Sequence, residues 1–322
     1  MSTNILEVMT AHTTPFKILI EVLKEILQEI NIEFTNVPKK SDDPDNNNTN
    51  NNTGEDTKLE KDDGSTVKND NGMRILAVDT TKTVLINMKL EAKNFSNFKC
   101  VKNKLVIGVN LAYFYKLIKS MDKDDNLTLL MDSNEQNYLK IKIENPDVGK
   151  DTVSKLKLMD LTNPSIKIPN ISFDAKIIMN SNEFHKICRD MHNIAEYVEI
   201  QCLKNKIIFT CKGDYGERTT TYRSGENDDG DGVTIRHTDT NKAPIIQGIY
   251  ELKNLVLFSK CASLCNDIEI YMKNSFPLAI RYTVATLGKI LLCLTPINDD
   301  RINNNYNDDD NLYEDEEVKV II

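Results

Sequence analysis

The sequence predicts an α+β protein with antiparallel sheets, and three observations lead to that class. Short segments of alternating apolar and polar residues occur in runs, which is typical of half-buried strands. Each run is interrupted by one helical segment, a pattern that favours antiparallel sheets over a βαβ alternation. The order strand, helix, strands recurs four times along the chain. We therefore interpret the chain as two similar halves, each built from two copies of one small unit.

Two flanking strand candidates, 31–37 and 73–78, enclose a tract that is unlike the rest of the chain. Residues 38–72 are rich in Asn, Asp and Lys and almost free of apolar residues. Such a segment buries too little surface to offset its ordering entropy, so we predict that it is disordered. The tip of a hairpin tolerates such an insertion best. We expect the flanking strands to pair.

The remaining strand candidates show the same alternation. They are 83–90, 128–131, 138–143, 198–202, 206–211, 268–272 and 278–284.

Four helical segments each carry two cations at a spacing of three or seven residues, which places both on one stripe. The eight cations are Lys17, Lys24, Lys116, Lys119, Lys186, Arg189, Lys253 and Lys260. Glu21 and Asp190 interrupt the stripes. A charged stripe on one helix is usually a solvated face, but four of them in a chain of net charge -9 indicate a surface for a polyanion. Both interpretations remain open on charge alone.

Capping signals support these helices. Thr14 before Pro15 offers a cap and an early proline for the first helix. Asn110 is placed to cap the second helix. Asn180 or Ser181 is placed to cap the third, with Glu183 positioned to reach back.

Composition excludes several classes of protein. A length of 322 residues with 40% hydrophobic and 28% charged residues fits a soluble protein of about two domains. No apolar run approaches the roughly 20 residues of a membrane span, and no signal peptide is visible. We therefore expect no membrane partner. Seven irregularly spaced cysteines indicate free thiols in a reducing compartment.

A search for catalytic or metal-binding patterns finds none that is complete. Residues 149–152 (GKDT) resemble the end of a phosphate loop, but position 144 is Glu where the motif needs glycine, and Asp151 stands where Ser or Thr would bind magnesium. Cys261 and Cys265 lie one helical turn apart without a second ligand pair, and His185 and His192 have no nucleophile beside them. The sequence predicts neither an enzyme nor a bound cofactor or metal.

Four strings resemble the proliferating cell nuclear antigen family, the eukaryotic-type DNA sliding clamps. They are GVNLAYFYKLIK, LKLMDLTNPSIKIP, EFHKICRDM and FPLAIRYTVATLGKILLCLTP, and they occur in the family's order. The resemblance implies the DNA clamp fold: two similar domains of two βαβββ units each, joined by a long loop. Sheets form the outside and helices the inside of a ring of three chains. The implied limits are 1–154 for the N-terminal domain, 155–169 for the connecting loop, 170–297 for the C-terminal domain and 298–322 for an acidic disordered tail.

The resemblance also implies sites and partners. The eight cations above match positions that face double-stranded DNA, and we expect the acidic residues on the outer surface of the ring. A pocket for clamp-binding peptides of DNA polymerase, the clamp loader and other proteins would contain Val78, Leu85, Ile166, Ile168, Pro277, Cys293 and Pro296. The contact between subunits of a homotrimer would use edge strands 152–158 and 206–211, with Lys150, Ser154, Glu183, Lys186, Ile207 and Phe209.

Further implications concern modification, partners and location. Lys204 matches a lysine that receives ubiquitin-like modifiers. The implied function is a polymerase processivity factor without catalytic activity. Alternatives are a subunit of a heteromeric checkpoint-like ring and a monomeric scaffold that does not encircle DNA. The implied location is the nucleus or, alternatively, a cytoplasmic viral replication factory. The apolar end 318–322 is either a docking peptide or a dangling terminus.

Overall fold

The structure, a computed structural model, describes residues 3–37, 71–162, 166, 171–225, 232–238 and 245–297. Within these ranges the helices are α1 (Thr13–Ile26), α2 (Leu111–Ile118), α3 (Ser181–His192) and α4 (Leu252–Ser259). The strands are β1 (Asn4–Thr10), β2 (Glu29–Thr35), β3 (Gly72–Val78), β4 (Val84–Glu91), β5 (Asn97–Cys100), β6 (Lys104–Asn110), β7 (Asn126–Asp132), β8 (Tyr138–Asn145), β9 (Lys150–Lys157), β10 (Ala175–Asn180), β11 (Tyr197–Leu203), β12 (Lys206–Lys212), β13 (Glu217–Arg223), β14 (Thr234–His237), β15 (Ile246–Glu251), β16 (Asp267–Met272), β17 (Leu278–Val284) and β18 (Gly288–Leu294).

The order of these elements confirms the fourfold repeat. A βαβββ unit begins at each of β1, β6, β10 and β15, and the short strands β5 and β14 follow the first and third units. Every ladder between these strands is antiparallel. Within the described part of the chain, no helix is both long and apolar enough to span a bilayer.

The strands form three sheets, one of which joins the two halves. The five-stranded sheet has the order β5-β1-β7-β8-β9, and the four-stranded sheet has the order β13-β12-β11-β15. The nine-stranded sheet has the order β14-β10-β16-β17-β18-β4-β3-β2-β6. Its central pair, β4 with β18, runs from Val84 opposite Leu294 to Leu90 opposite Gly288. Backbone hydrogen bonds therefore continue from the N-terminal into the C-terminal half.

The prediction that the Asn-rich tract connects paired strands is confirmed. Strands β2 and β3 are antiparallel neighbours, with Glu33 opposite Arg74 and Thr35 opposite Gly72. Asn71 closes the ladder, because its side chain exchanges hydrogen bonds with the backbone N–H and C=O of Val37 at 2.8 and 2.9 Å. Residues 38–70 lie outside the described residues.

The four helices form one layer against the sheets. Helix α1 packs on α2, α3 packs on α4, and α1 also contacts α4 and the following 3-10 turn Lys260–Leu264. The contact between α1 and α2 includes an edge-to-face pair, Phe16 and Phe114, with centroids 6.2 Å apart. Each helix buries its apolar stripe and leaves its polar side uncovered, so the polar sides share one face of the layer.

In each half, a buried hydroxyl group at the start of the first helix forms a hydrogen bond with the backbone that follows the second helix. Thr13, the first residue of α1, donates to the carbonyl oxygen of Asp122 after α2 at 2.8 Å. Ser181, the first residue of α3, donates to the carbonyl oxygen of Ala262 after α4 at 3.0 Å. Both side chains are buried. The same polar contact thus fixes the first helix of each half to the end of its second helix.

The capping predictions are partly confirmed. The Asn110 side chain accepts from the Tyr113 N–H, and the Asn180 side chain accepts from the first amides of α3. The prediction for α1 was wrong, because His12 occupies the cap position without a side-chain bond and Thr14 lies inside the helix. Glu183 does not reach back to the cap; it accepts a hydrogen bond from the Tyr222 hydroxyl at 3.2 Å.

The connection between the halves begins later than predicted. Strand β9 continues through Lys157, because its ladder with β8 extends to the pair Lys157 and Tyr138. The chain then runs beside β6, where the Met159 N–H donates to the Gly108 carbonyl oxygen at 2.9 Å. A Cβ on Gly108 would lie 2.3 Å from the Met159 oxygen, so only glycine permits this approach.

One buried hydroxyl group leads to a stability prediction. Tyr282 is fully buried, and its Oη has no hydrogen-bond partner among the described residues. Burial raises the pKa of this phenol well above its usual range. An unsatisfied buried hydroxyl costs about 1–3 kcal/mol, so we expect Tyr282→Phe to raise the free energy of unfolding by about 1 kcal/mol.

Thermal or urea denaturation measures this change, and Tyr271→Phe is the matched control. The Tyr271 hydroxyl donates to Glu269 at 2.8 Å, so the same substitution there should lower stability. A Tyr282→Phe protein that is less stable than the wild type contradicts the assignment of an orphaned hydroxyl.

Candidate nucleic-acid interface

The uncovered face of helix α2 shows how the fold presents the predicted cations. Leu111, Phe114 and Ile118 are buried, whereas Lys116 and Lys119 are exposed. Helices α3 and α4 follow the same rule, with Lys186, Arg189, Lys253 and Lys260 exposed. The 3.6-residue repeat alone produces this separation, because each apolar stripe faces the sheets.

The structure divides the eight predicted cations into two groups. Four have no acidic partner among the described residues: Lys116, Lys119, Lys186 and Lys253. The other four have partners: Lys17 donates to the Met121 carbonyl oxygen, Lys24 pairs with Glu25 at 2.7 Å, Lys260 pairs with Glu25 at 3.7 Å, and Arg189 lies 4.0 Å from Asp190. The first group has its charge most available for an external anion.

The acidic residues within the stripes have structural contacts. Glu25 lies between Lys24 and Lys260, and these lysines lower the pKa of its carboxyl group, the hydrogen bond from Lys24 having the largest effect. Burial, followed by the hydrogen bond with Glu21, raises the pKa of Tyr115, which links α1 to α2. Asp190 pairs with Arg218 of β13 at 3.4 Å. These carboxylates therefore hold neighbouring elements of the fold together: α1 with α2 and with the turn after α4, and α3 with β13.

The net acidity of the chain lies mostly outside the described residues. The whole chain has 40 basic and 49 acidic residues. Counted over the described residues alone, about 31 are basic and 26 are acidic, so the described part is net positive. The excess of acid belongs to residues 38–70, 226–231 and 298–322. Over the described residues, the cationic helix face therefore lies on a part of the chain with a net positive charge.

The predicted peptide pocket is assembled in part. Leu85, Ala279 and Cys293 form a small buried cluster, against which Val78 and Ile166 pack. Val78, Leu85, Cys293 and Ala279 lie directly opposite one another across β3, β4, β18 and β17. One cross-strand row therefore builds the floor of the pocket. Burial raises the pKa of the Cys293 thiol to about 12, so it acts there as a small apolar group.

The other predicted members of the pocket are not part of the cross-strand row that forms its floor. Pro277 precedes β17 and is half-buried, and Pro296 lines a cavity beside Gly248 and Ile249. Ile168 lies outside the described residues. Sequence reasoning missed Ala279 and Tyr271, which continue the row beyond Cys293. The alternation of β16, in which Tyr271 lies between the buried Ile270 and Met272, was the available signal for Tyr271.

The structure shows where the two strands predicted for the subunit contact lie in their sheets. Strand β9 is a sheet edge, as expected for 152–158, and carries Lys150 and Ser154. The prediction that 206–211 is an edge was wrong, because β12 pairs with β11 on one side and β13 on the other. Ile207 and Phe209 are consequently buried. The edge strands of that sheet are β13 and β15.

The hydrogen-bond register identifies which backbone groups of these edges face outward. In the β12–β13 ladder the Ser224 N–H donates to the Asn205 oxygen at 2.7 Å. Bonded pairs alternate along an antiparallel ladder, so the amides of Thr219 and Thr221 point away from β12. The Leu158 N–H donates to the Asn137 oxygen at 2.9 Å, which by the same rule turns the amide of Val153 outward from β9.

The cysteines and the histidine considered as possible metal ligands or catalytic groups make structural contacts instead. No cluster of three or more potential metal ligands occurs among the described residues. Burial raises the pKa of the Cys188 and Cys261 thiols well above their usual range. His185 contacts the Ser259 hydroxyl through Nδ1 at 2.8 Å, which joins α3 to α4. Lys204 lies exposed in the turn between β11 and β12.

Two family models together match the described residues from 71 to 297, apart from residue 166. The family model "Proliferating cell nuclear antigen, N-terminal domain" matches residues 62–165, and the corresponding C-terminal domain model matches residues 167–297. The change from one model to the other falls within the predicted connecting loop.

Several proteins resemble the chain along much of its length. It is 33% identical over 298 residues to a probable DNA polymerase sliding clamp of Acanthamoeba polyphaga mimivirus, covering 91% of this chain and 62% of that protein. It is 30% identical over 230 residues to probable DNA polymerase sliding clamp 1 of Paramecium bursaria Chlorella virus 1, covering 70% and 84%. It is also 30% identical over 233 residues to the proliferating cell nuclear antigen of Chaetomium thermophilum, covering 72% and 88%. The chain thus spans less than two thirds of the mimivirus protein.

The fold has a counterpart among solved structures. The crystal structure of proliferating cellular nuclear antigen from Entamoeba histolytica superposes with a TM-score of 0.72, covering 92% of this chain and 100% of that one at 21% identity. At that identity the match supports the fold alone. The two domain models and the 30–33% identities establish the relationship. The chain belongs to the proliferating cell nuclear antigen family of DNA sliding clamps.

Proposed function

We propose that this protein is a DNA sliding clamp, a polymerase processivity factor that acts by encircling duplex DNA and catalyses no reaction. The observation that carries the proposal is the single layer of four helices, on whose uncovered face Lys116, Lys119, Lys186 and Lys253 have no acidic partner within the described chain. Such cations contact phosphates without reading bases, so binding is independent of sequence and the protein can slide.

The proposed assembly is a homotrimer closed head to tail. Two different free edges, β9 and β13, support this arrangement, because a heterologous contact uses two different surfaces of each subunit. Outward amides near Val153 and Thr221 would pair across the contact. Ring closure would cover both edges, which otherwise remain open to unwanted strand pairing. In the proposed ring the uncovered helix faces line the central hole.

The proposed partners are double-stranded DNA, DNA polymerase, the clamp loader and other proteins with clamp-binding peptides. The row from Val78 to Ala279, with Ile166 against it, supports the peptide site because apolar anchors supply most of the affinity in such pockets. We propose two clamp domains joined by a connecting segment that begins after β9, with modification at Lys204 as a further property. Two of the relatives are viral, which favours a viral replication factory over the nucleus as the site of action.

Circular DNA tests the proposal against its alternatives. The protein, loaded on closed circular DNA, should remain bound through gel filtration and dissociate after the circle is linearised. Equal dissociation from both substrates would instead favour a scaffold that does not encircle DNA. Light scattering of the pure chain should give the mass of a trimer, whereas a monomer that assembles only with sibling chains would identify a heteromeric ring.

The peptide pocket leads to a further prediction. Replacing Ile166 and Ile168 by alanine should lower the affinity for a fluorescent clamp-binding peptide by at least about tenfold, because Ile166 packs against Leu85 and Cys293 on the pocket floor. Fluorescence anisotropy measures the affinity, and the trimer mass should not change. Val101→Ala, an exposed apolar residue in the β5–β6 turn, is the control and should bind normally. Unchanged binding by the double variant would refute this location of the pocket.

A further inference from the structure

The uncovered face of α2 carries an aromatic residue beside its cations. Tyr113 is 60% exposed, and the Lys116 ammonium lies 4.8 Å from the centroid of its ring. The Tyr113 N–H donates to the Asn110 side chain at 3.1 Å, so the helix cap fixes the backbone from which the ring projects. The ring and the ammonium therefore form one exposed unit on the cationic face.

Two other tyrosine–lysine pairs show what is particular to this one. Lys155 lies 6.0 Å from the Tyr138 ring, but Glu135 neutralises that lysine through contacts of 2.9 and 3.0 Å. Lys24 lies 4.8 Å from the Tyr115 ring, but it also pairs with Glu25 and is only 20% exposed. Neither pair offers both an open ring and an available charge.

The pair formed by Tyr113 and Lys116 offers both. Lys116 is exposed and has no carboxylate partner within the described ranges. An aromatic ring on a cationic surface is the combination with which proteins contact nucleic acids, the cation binding a phosphate and the ring covering sugar or base. A carboxylate beside the lysine, as at Tyr138, would repel the same ligand.

We propose that Tyr113 is a further DNA-contacting residue of this protein, whose ring packs on a deoxyribose while Lys116 binds the adjacent phosphate. The inference rests on the proposed function and adds an apolar contact to a surface otherwise described by charge. An apolar contact releases no counterions, so it contributes affinity that persists as salt rises, whereas each phosphate contact contributes about 0.9 to the salt slope.

The salt dependence of binding tests this inference in the full chain. The affinity for a short fluorescent duplex is measured by anisotropy across a range of salt concentrations for Tyr113→Ser, Tyr113→Phe and Lys116→Ala. Tyr113→Ser should weaken binding by about three- to tenfold at every salt concentration without changing the slope. Tyr113→Phe should bind like the wild type, because the ring makes the contact. Lys116→Ala should reduce the slope.

Tyr138→Ser is the matched control. It removes an exposed tyrosine of strand β8 that lies beside Lys155 and away from the helix layer. It should bind like the wild type. Wild-type affinity for Tyr113→Ser overturns the inference, and so does a reduced slope like that of Lys116→Ala, which would mean that the ring only positions the lysine. If lysine substitutions on α2 and α3 also leave binding unchanged, the proposed function fails rather than this contact alone.

Discussion

Reversing the charge at Lys116 and Lys186 together should weaken DNA binding by at least roughly tenfold and lower polymerase stimulation in proportion. The two residues lie on α2 and α3, one in each half of the chain, and neither has an acidic partner within the described residues. Glutamate at these positions would remove two phosphate contacts per subunit and add repulsion. The slope of log affinity against log salt should fall by about 0.9 for each phosphate that is no longer neutralised.

The effect on stability separates this result from damage to the fold. Both side chains are exposed, and exposed substitutions usually change the free energy of unfolding by less than about 0.5 kcal/mol. The mass in solution and the melting temperature should therefore match the wild type. Lys99→Glu with Lys204→Glu is the control, because it makes the same charge change on β5 and on the β11–β12 turn. An equal decrease of stimulation in both double variants would count against a helix-lined DNA surface.

The sequence predicted the helices and the central strands because burial repeats with a clear period in each. Phe184, Ile187, Cys188 and Met191 of α3 are buried, and the cations fall on the other side. The hairpin around the Asn-rich tract was predictable because both flanks alternate. In these elements, contact with the core determines the local pattern of residue types.

The edge strands were not predictable in the same way. β13 has the sequence ERTTTYR, which is polar throughout and shows no apolar alternation. β12 alternates cleanly, yet that pattern reports only that one face is buried, not whether neighbours occupy both edges. The expectation that β12 is a free edge came from the family resemblance, and the alternation of β12 could not correct it. Natural edges are often polar because an apolar free edge would aggregate, so the strand available for pairing is the one that looks least like a strand.

The helix face illustrates a different limit. The sequence placed eight cations on equal terms, but contacts with Glu25 and Asp190 leave them unequally available. Those contacts join α1 to the 3-10 turn after α4 and α3 to β13, so spacing along one helix cannot reveal them. Tyr113 was visible in principle, because it lies three residues before Lys116 on the same stripe.

Replacing Thr221 by proline should convert the proposed trimer into monomers while leaving each chain folded. The Thr221 amide points away from β12, so proline removes a hydrogen-bond donor from the free edge and spares the β12–β13 ladder. Light scattering should give the mass of one chain, and the protein should no longer be retained on closed circular DNA.

Two further substitutions on the same strand make the Thr221→Pro result specific. Thr221→Ala should keep the trimer, because it retains the amide that pairs across the contact. Thr220→Pro should destabilise the chain itself, since the Thr220 amide faces Phe209 within the ladder and its removal breaks the sheet. Val153→Pro on β9 should reproduce the monomer from the opposite edge, because the Val153 amide also faces outward. If Thr221→Pro and Val153→Pro both remain trimeric, the subunit contact does not use these edges, and side chains of the helix layer or the turns must form the ring instead.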